Sequence, residues 1–294
     1  MKSEINDDLS VQGILPYLSQ DLQGDFSERI FIYDQLESTN ITAKEIVLSG
    51  TQSGCDASHN ARYYKQQHGT VIIADFQAAG KGRQGKVFHS PSGHGIYMSI
   101  ILDSSELHLS TPTLTTALAA VSVCEAIEAV SDKVPCIKWV NDVFLDGKKV
   151  CGILTESVNS PASRITPWVI VGIGINFSTP ALEFPVALRQ IAGSVFDSET
   201  PPVSRSHLAA EVINRVVLFN GQRSEKGMQH CENVMLEKYR QRMFLLGKRV
   251  RVTGVDEPFE AVAVDVDDAG HLVVKKNNGE QVLLFSGEVS IKHN

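Results

Sequence analysis

The sequence lacks any C-x-x-C pair, any long uninterrupted apolar run and any excess of basic residues, and each absence excludes a class of protein. Its five cysteines are odd in number and widely spaced, which argues against a disulfide framework and against a zinc site. We therefore expect reduced thiols, most of them buried in the core. They are Cys55, Cys124, Cys136, Cys151 and Cys231.

Two further absences bear on location and partners. No apolar run approaches the roughly 18 residues of a membrane helix, and the first ten residues lack the apolar segment of a signal peptide. We therefore expect a cytoplasmic protein without a membrane partner. The net charge of -7 argues against a chain that coats nucleic acid, because phosphate binding needs a basic surface.

What is present is enough apolar sequence for a large core, since 43% of the 294 residues are hydrophobic. We divide the chain into three parts. Residues 1–28 are predicted to be an acidic N-terminal tail or a small docking segment, and residues 29–244 mix strand and helix patterns. Residues 245–294 contain five short strands separated by Gly, Asp or Asn turns, which is typical of a small β-barrel. The whole is predicted to be an α+β protein with a mixed or antiparallel sheet.

Periodicity and turn signals predict individual elements. Asp146-Gly147, between two strand-like runs, indicates a two-residue hairpin. Helices are expected over residues 113–130, 206–220 and 228–243. Residues 178–205 contain four prolines and are predicted to form a long irregular connection.

The most informative segment is the glycine-rich run GKGRQGK, residues 80–86. It is not a P-loop, because Val87 stands where that motif needs a hydroxyl for Mg²⁺. It is not a dinucleotide-binding loop either, because Pro91 and the glycines after it prevent the helix that such a site requires. What remains is a flexible backbone with three cations, which suits a phosphate or a carboxylate. The cations are Lys81, Arg83 and Lys86.

Two features leave alternatives open. Lys148 and Lys149 follow the hairpin turn, and strand alternation does not decide which of them faces the interior. Ser38 or Thr39 could bind a ligand, or could simply cap the helix that follows.

Five sequence blocks stand in an order that points to one family. They are Ser38-Thr39-Asn40; Gln77 to Arg83 with Ser90-Pro91; Lys138-Trp139-x-Asn141-Asp142; Lys149-x-x-Gly152-Ile153-Leu154; and Gly172-x-Gly174-Ile175-Asn176. Taken together they resemble a biotin protein ligase, over roughly residues 30–292. The departures are mild, since Phe88 stands for a usual tryptophan and Val140 for a common proline.

The resemblance implies a fold and a reaction. The fold is a class II synthetase-like mixed or antiparallel sheet with flanking helices, followed by a small SH3-like barrel, in a short form without an N-terminal DNA-binding domain. The reaction is ATP-dependent activation of biotin to biotinyl-5′-AMP, followed by transfer to a lysine of a biotin carboxyl carrier domain. ATP would arrive with Mg²⁺, which we expect near Asp142 rather than at a protein metal motif.

The resemblance also implies roles for residues. Two cations, Lys149 and Arg83, are expected to be catalytic, because a carboxylate that attacks the α-phosphate brings two anions together. The residues expected to bind biotin are Ser38, Thr39, Asn40, Gln77, Lys81, Gly82, Arg83 and Lys149. Those expected to bind the nucleotide are Lys81, Arg83, Lys86, Asn141, Asp142, Asn176 and Lys292.

Two other functions are weighed against this one. A lipoate or octanoate protein ligase would share the fold, but the Arg83 loop and the K-W-x-N-D block favour biotin. A regulator that binds biotinyl-AMP and then DNA is the other; the stretch before Arg29 is too short for three helices, and its acidic balance would repel phosphate. The oligomeric state, with a homodimer as one option, and the acceptor carboxylase are left open.

Overall fold

In the computed structural model, an α+β domain built on one seven-stranded sheet is followed by a five-stranded sheet. The structure describes most of the chain. The described residues are 9–49, 67–107, 109, 111–159, 168–198, 200–219, 228–255 and 257–291.

The seven-stranded sheet is mixed, as the sequence predicts. Its strands are β1 (Ile30–Leu36), β2 (Thr70–Gln77), β3 (Gly95–Asp103), β4 (Cys136–Lys138), β5 (Asp142–Leu145), β6 (Lys148–Val158) and β7 (Trp168–Asn176). Their order is β1-β2-β3-β7-β6-β5-β4. Only β1 and β2 pair in parallel; the other neighbours in this sheet are antiparallel.

The turn between β5 and β6 is formed by Asp146 and Gly147, as predicted. Both have positive φ, 50° and 77°, which glycine adopts freely and aspartate tolerates. The β5–β6 pairing that follows contains a register shift between Val143 and Phe144. This shift decides which side chains of β6 face the site described below.

The three long helices predicted from periodicity are present, with small differences at their ends. The helices are α1 (Val11–Ile14), α2 (Thr39–Ser49), α3 (Ser104–Leu107), α4 (Pro112–Val130), α5 (Arg205–Leu218) and α6 (Met228–Arg242). α4 begins at a favourable place, because the Thr111 side chain accepts a hydrogen bond from the N–H of Leu114 at 3.3 Å and Pro112 occupies the first turn.

α4 is the central helix of the core. It packs on β6 and β7, and α5 and α6 pack against it. By length and composition alone it could cross a membrane, but 78% of its most apolar stretch is buried inside the protein. That burial is typical of a core helix.

Residues 9–29 form a segment of short helical turns that packs against the large domain. The segment contacts α5: the N–H of Ser19 donates to Oδ1 of Asn214, and Nδ2 of Asn214 donates to the carbonyl of Tyr17, both at 2.9 Å. The ring of Tyr17 stacks on His207 at 3.9 Å. The buried apolar side chains that hold the segment on the core are Leu9, Ile14, Leu18, Leu22 and Phe26.

The C-terminal part forms the five short strands that the sequence predicts. They are β8 (Arg249–Thr253), β9 (Phe259–Val266), β10 (Leu272–Lys276), β11 (Gln281–Leu284) and β12 (Glu288–Ile291). Their order is β11-β10-β9-β8-β12, and every pair is antiparallel. This small sheet is fixed to the large domain: Nε1 of Trp139 donates to the carbonyl of Gly270 at 3.1 Å, and Nε of Arg240 donates to that of Val266 at 2.8 Å.

The two faces of the large sheet differ in composition. One face of β3, β6 and β7 is apolar and packs against the α4 side of the core. The opposite face contacts α2 and carries small and polar residues at its centre. These are Gly95 and Ser99 on β3, Gly172, Gly174 and Asn176 on β7, and Gly152 and Glu156 on β6; the larger Tyr97 and Leu154 lie on the same face.

An ion pair between a buried arginine and a partly exposed aspartate joins the start of α5 to this sheet. The side chain of Arg205 is 7% exposed, and its Nη1 lies 2.5 Å from Oδ1 of Asp75 on β2. Asp75 also accepts hydrogen bonds from the Ser92 hydroxyl and the Gly93 N–H. Burial opposes ionisation of Asp75, but these hydrogen bonds and Arg205 hold its pKa below the usual value. The pair therefore fixes α5 against the turn that leads into β3.

We predict that Arg205→Leu lowers the free energy of unfolding by about 2–3 kcal/mol, because the partly exposed carboxylate of Asp75 loses a charged hydrogen-bond partner. The matched control is Arg215→Leu on the same helix. Arg215 pairs with Glu211 one turn away and is 27% exposed, so its loss should cost about 1 kcal/mol or less. Urea unfolding at neutral pH measures both values, and equal losses would contradict the prediction.

Candidate active site

The glycine-bearing face of the sheet opens into a cavity of about 420 Å³, where the five sequence blocks meet. The predicted site residues that line it are Ser38, Thr39, Asn40, Gln77, Lys81, Gly82, Arg83, Lys86, Asn141, Asp142, Lys149 and Asn176. Lys292 lies outside the described residues, so its contact with the nucleotide stays a prediction.

The floor of the cavity consists of glycines on neighbouring strands. A methyl group at Gly174 would lie 2.6 Å from the ring of Phe88, and one at Gly172 would overlap Oδ1 of Asn40. Gly152 lies directly opposite Gly174 in the β6–β7 pairing. Gly172 and Gly174 need glycine because any side chain would occupy the space of Asn40 or Phe88.

The glycine-rich loop closes over this floor. It folds back on itself, since the N–H of Gly82 donates to the carbonyl of Lys86 at 2.7 Å. Nη1 of Arg83 donates to Oδ1 of Asn141 at 3.1 Å, which fixes the guanidinium group inside the cavity. The next regular element after the loop is the strand β3 and not a long helix, as its proline and glycines predict.

The structure decides between the two lysines after the hairpin turn. Lys149 lines the cavity, and its Nζ lies 2.7 Å from Oδ1 of Asp142, whereas Lys148 is exposed. The β5–β6 register pairs Val143 with Cys151 and the next residue of β5 with Lys149, which skips Val150. This bulge places Lys149 on the cavity face, which strict alternation would not do.

The long connection after β7 supplies one wall of the cavity. The N–H of Lys149 donates to the carbonyl of Ile191 at 2.8 Å, and the N–H of Gly193 donates to the carbonyl of Lys149 at 2.9 Å. Nδ2 of Asn176 donates to the carbonyl of Gly193 at 3.0 Å. Asn176 therefore holds this wall against β6 as well as lining the cavity.

The cavity is positive although the whole protein carries a negative net charge. Burial lowers the pKa of Lys138, with Asp142 opposing the shift and Lys149 adding to it. Such a concentration of cations suits a polyanionic ligand. Among the described residues that line the cavity, the cations are Lys81, Arg83, Lys86, Lys138 and Lys149, and the carboxylates are Asp142 and Glu288.

The small C-terminal sheet reaches the same cavity. Gly287 and Glu288 line it, and Nζ of Lys86 donates a hydrogen bond to the carboxylate of Glu288. This contact lowers the pKa of Glu288, although burial opposes the shift. The glycine-rich loop is therefore connected to β12.

One corner of the cavity is polar and uncharged. Ser38, Thr39 and Asn40 are only 2–4% exposed. The N–H of Thr39 donates to Oε1 of Gln77 at 2.9 Å, and Nε2 of Gln77 donates to the Ser90 hydroxyl at 3.0 Å. The Thr39 hydroxyl also has a side-chain neighbour in Gln77, at 3.2 Å, and its contact with a ligand stays a prediction.

Three residues of this region were missed by sequence reasoning. Ser99 lies within a strand that reads as an apolar run, Glu156 ends the block that follows the hairpin turn, and Glu288 belongs to the small C-terminal sheet. Their proximity to the cavity depends on strand pairing, which no single segment reveals. One signal was available, because Glu156 is an even number of residues from Gly152 and therefore shares its face.

Similarity to known proteins agrees with this geometry. Residues 47–176 match the biotin/lipoate A/B protein ligase family, and residues 245–292 match the biotin protein ligase C-terminal domain. A bifunctional ligase/repressor of Bacillus subtilis is 33% identical over 264 residues, which cover 90% of this chain and 74% of that protein. The chain belongs to the biotin protein ligase family.

Further members of the biotin protein ligase family match over most of their length. The biotin–[acetyl-CoA-carboxylase] ligase of Mycobacterium tuberculosis is 27% identical over 231 residues, which cover 75% of this chain and 78% of that protein. The structure of biotin protein ligase from Aquifex aeolicus in complex with biotin and ATP has a TM-score of 0.68 at 25% identity, covering 90% of this chain and 99% of that chain. The predicted family, the α+β fold and the ligase class are thus confirmed.

We predict that Gly172→Ala destabilises this ligase by about 1–3 kcal/mol, because the added methyl group must displace a buried, hydrogen-bonded side chain, that of Asn40. Gly152→Ala is the matched control. Its methyl group would meet the flexible end of Lys149 at 3.1 Å and the edge of the Phe88 ring at 3.2 Å, and both contacts are looser than the overlap with Asn40. Urea unfolding measures both variants, and a loss at Gly172 no larger than that at Gly152 would be inconsistent with the crowded floor.

Proposed function

We propose that this biotin protein ligase activates biotin with ATP and transfers it to a lysine of a carboxyl carrier domain. The proposal rests on one cavity that combines a concentration of cations with a neutral hydrogen-bonding corner. Adenylation of biotin needs both, because two anions must meet while an uncharged urea ring is held by donors and acceptors. The names of relatives and the Aquifex aeolicus complex with biotin and ATP support it.

Lys149 and Arg83 are the residues that we assign to the reacting centre. In the first step an oxygen of the biotin carboxylate forms a bond to the α-phosphorus, the bond to the β-phosphate breaks, and pyrophosphate leaves with that electron pair. The Lys149 ammonium is a compact charge that serves both approaching anions. The Arg83 guanidinium suits the phosphate of the adenylate, to which it can donate two hydrogen bonds.

Asp142 fits a Mg²⁺ ion that accompanies ATP. Its carboxylate lines the cavity with Oδ1 paired to the Lys149 ammonium at 2.7 Å, and a carboxylate oxygen is a ligand that Mg²⁺ prefers. The described residues contain no group of three or more His, Cys, Asp or Glu that could hold a metal, so the phosphates would supply other ligands. Bound Mg²⁺ neutralises phosphate charge.

The neutral corner and the loop are assigned to biotin and to its adenylate. Ser38, Thr39, Asn40 and Gln77 would hydrogen-bond the rings of biotin. Lys81 and Gly82, in the loop above, would cover the mixed anhydride and keep water from hydrolysing it. Retention of the adenylate until a carrier lysine arrives is the purpose that we assign to the closed loop. Lys86, Asn141 and Asn176 would complete the nucleotide side.

The second half-reaction defines the partner, and the cysteines bear on the location. The ε-amine of a carrier lysine attacks the activated carbonyl, an amide bond forms and AMP leaves. The carrier belongs to a carboxylase, as the names of the relatives imply. We propose a cytoplasmic protein without a membrane or DNA partner, with a homodimer left open. The four cysteines in the described part of the chain are free thiols, as a reducing compartment requires.

We predict that Lys149→Ala slows formation of biotinyl-5′-AMP by several powers of ten, because it removes the cation shared by the two reacting anions. Each power of ten corresponds to about 1.4 kcal/mol of transition-state stabilisation. Lys148→Ala is the matched control and should hardly change the rate of adenylate formation, since Lys148 is exposed outside the cavity. Biotin-dependent release of pyrophosphate measures both. Comparable activity in the two variants would refute the assignment.

We predict that Arg83→Gly weakens retention of the adenylate more than its synthesis, because the loop loses its contact with Asn141 and its charge on the phosphate. Released biotinyl-5′-AMP would then label exposed lysines of an unrelated protein added to the reaction. Mass spectrometry of that protein measures the labelling. A variant that still makes the adenylate but labels the bystander no more than wild type does would assign the loop another task.

A further inference from the structure

Two charged residues lie behind the neutral corner of the cavity without lining it. Glu156 on β6 and Lys44 on α2 form an ion pair, with 2.5 Å between Nζ and Oε1. The side chains of Glu156 and Lys44 are 25% and 32% exposed. Nδ2 of Asn40 donates to the second carboxylate oxygen, Oε2, at 2.7 Å. Glu156 is thus shared between a surface cation and a buried residue of the corner.

The carboxylate fixes the orientation of the Asn40 amide. An ionised carboxylate only accepts hydrogen bonds, so the NH₂ group of Asn40 must face Glu156. The same nitrogen lies 3.4 Å from the carbonyl of Leu154, which is also an acceptor. Burial opposes ionisation of Glu156, but the hydrogen bonds from Lys44 and Asn40 hold its pKa below the usual value. At neutral pH, Oδ1 of Asn40 therefore faces away from Glu156.

The orientation of the Asn40 amide determines to which atom the hydroxyl of Ser99 donates. Ser99 is fully buried. Its hydroxyl has one hydrogen and two oxygen neighbours, Oδ1 of Asn40 at 2.6 Å and Oγ1 of Thr39 at 2.8 Å. The amide oxygen cannot donate, so Ser99 must donate to Asn40. The oxygen of Ser99 then accepts from the hydroxyl of Thr39.

Thr39 consequently presents lone pairs to the cavity. Its single hydroxyl hydrogen points to Ser99 at 2.8 Å. The other acceptor, Oε1 of Gln77, lies farther away at 3.2 Å and already accepts from the Thr39 N–H. A hydroxyl whose hydrogen is engaged in this way can only accept from a ligand.

We propose that Glu156 is a positioning residue that sets the direction of this hydrogen-bond network, so that Thr39 accepts a hydrogen bond from an N–H of the bound ligand. The network consists of Glu156, Asn40, Ser99 and Thr39. The inference rests on the proposed function, since the cyclic urea of biotin supplies such N–H groups. Lys44 completes the arrangement, because it donates to the carboxylate oxygen that Asn40 does not use.

The decisive variant is Glu156→Gln, which keeps the size of the side chain but has only one acceptor oxygen. The ammonium of Lys44 attracts that oxygen more strongly than the neutral amide does, so the new NH₂ group faces Asn40. The Asn40 amide must then turn, and the direction of the network is reversed as far as Thr39. The KM for biotin should rise about 10- to 100-fold, because a donor would then meet the ligand N–H, while kcat changes less than about threefold.

The double variant Glu156→Gln with Lys44→Met tests whether the KM for biotin depends on the direction of the hydrogen bonds or on a purely structural effect of changing Glu156. Without the ammonium, the glutamine oxygen is free to face Asn40, and the original direction returns. The KM for biotin should recover at least half of the loss on a logarithmic scale. Lys44→Met alone keeps the carboxylate and should change this KM less than about threefold. All four proteins are compared by biotin-dependent pyrophosphate release at saturating Mg-ATP, and thermal unfolding confirms that each is folded.

Two results would overturn the proposal: a wild-type KM in Glu156→Gln, or a double variant that recovers less than half of the loss. If Glu156→Gln does not fold, Ser99→Ala tests the same network by interrupting it, and here an unchanged KM for biotin overturns the proposal. A wild-type protein that releases no pyrophosphate with biotin would instead contradict the proposed function. The two failures are therefore distinguishable.

Discussion

The site depends on glycines that lie next to one another on neighbouring strands of one sheet. Gly152 lies opposite Gly174, and Gly172 lies opposite Ser99 of β3. A buried sheet face is normally filled with side chains to the density of an organic crystal. Here the glycines have no side chains and leave room for a ligand. The opposite face of the sheet remains packed against the core and keeps the strands in place. The other parts of the site, α2, the glycine-rich loop and β12, are arranged around this opening.

In this arrangement a cationic region and a neutral hydrogen-bonding corner lie close together in one cavity. Cations from β6, from the loop and from β4 line the same cavity, and in the proposed reaction they receive the phosphate and the carboxylate. The neutral corner comes from the start of α2, where each buried polar group must have a partner. A charge can act from behind this corner without touching the ligand, because buried hydrogen bonds have a direction. In the proposed mechanism Lys149 acts through its charge, whereas Glu156 acts through the orientation of amides and hydroxyls.

The sequence predicts best what depends on local geometry. Asp146-Gly147, the long helices and the five C-terminal strands were predicted because each has its own turn or periodic pattern. The blocks that line the cavity were recognised as a set, although no single block fixes their arrangement. Strand alternation could not distinguish Lys149 from Lys148, and only the family resemblance named Lys149, because the bulge at Val150 arises from pairing with β5. Ser99 was missed for a related reason, since its partners lie on α2, about 60 residues away.

The link between Lys86 and Glu288 joins residues that are 202 positions apart. The wall of the cavity is therefore complete only after β12 has been synthesised and has paired with β8. A nascent chain that has already formed the seven-stranded sheet still lacks this wall. Translation itself thus delays the appearance of the finished cavity, so a ribosome-bound intermediate would expose its cationic loop before the carboxylate that pairs with it exists.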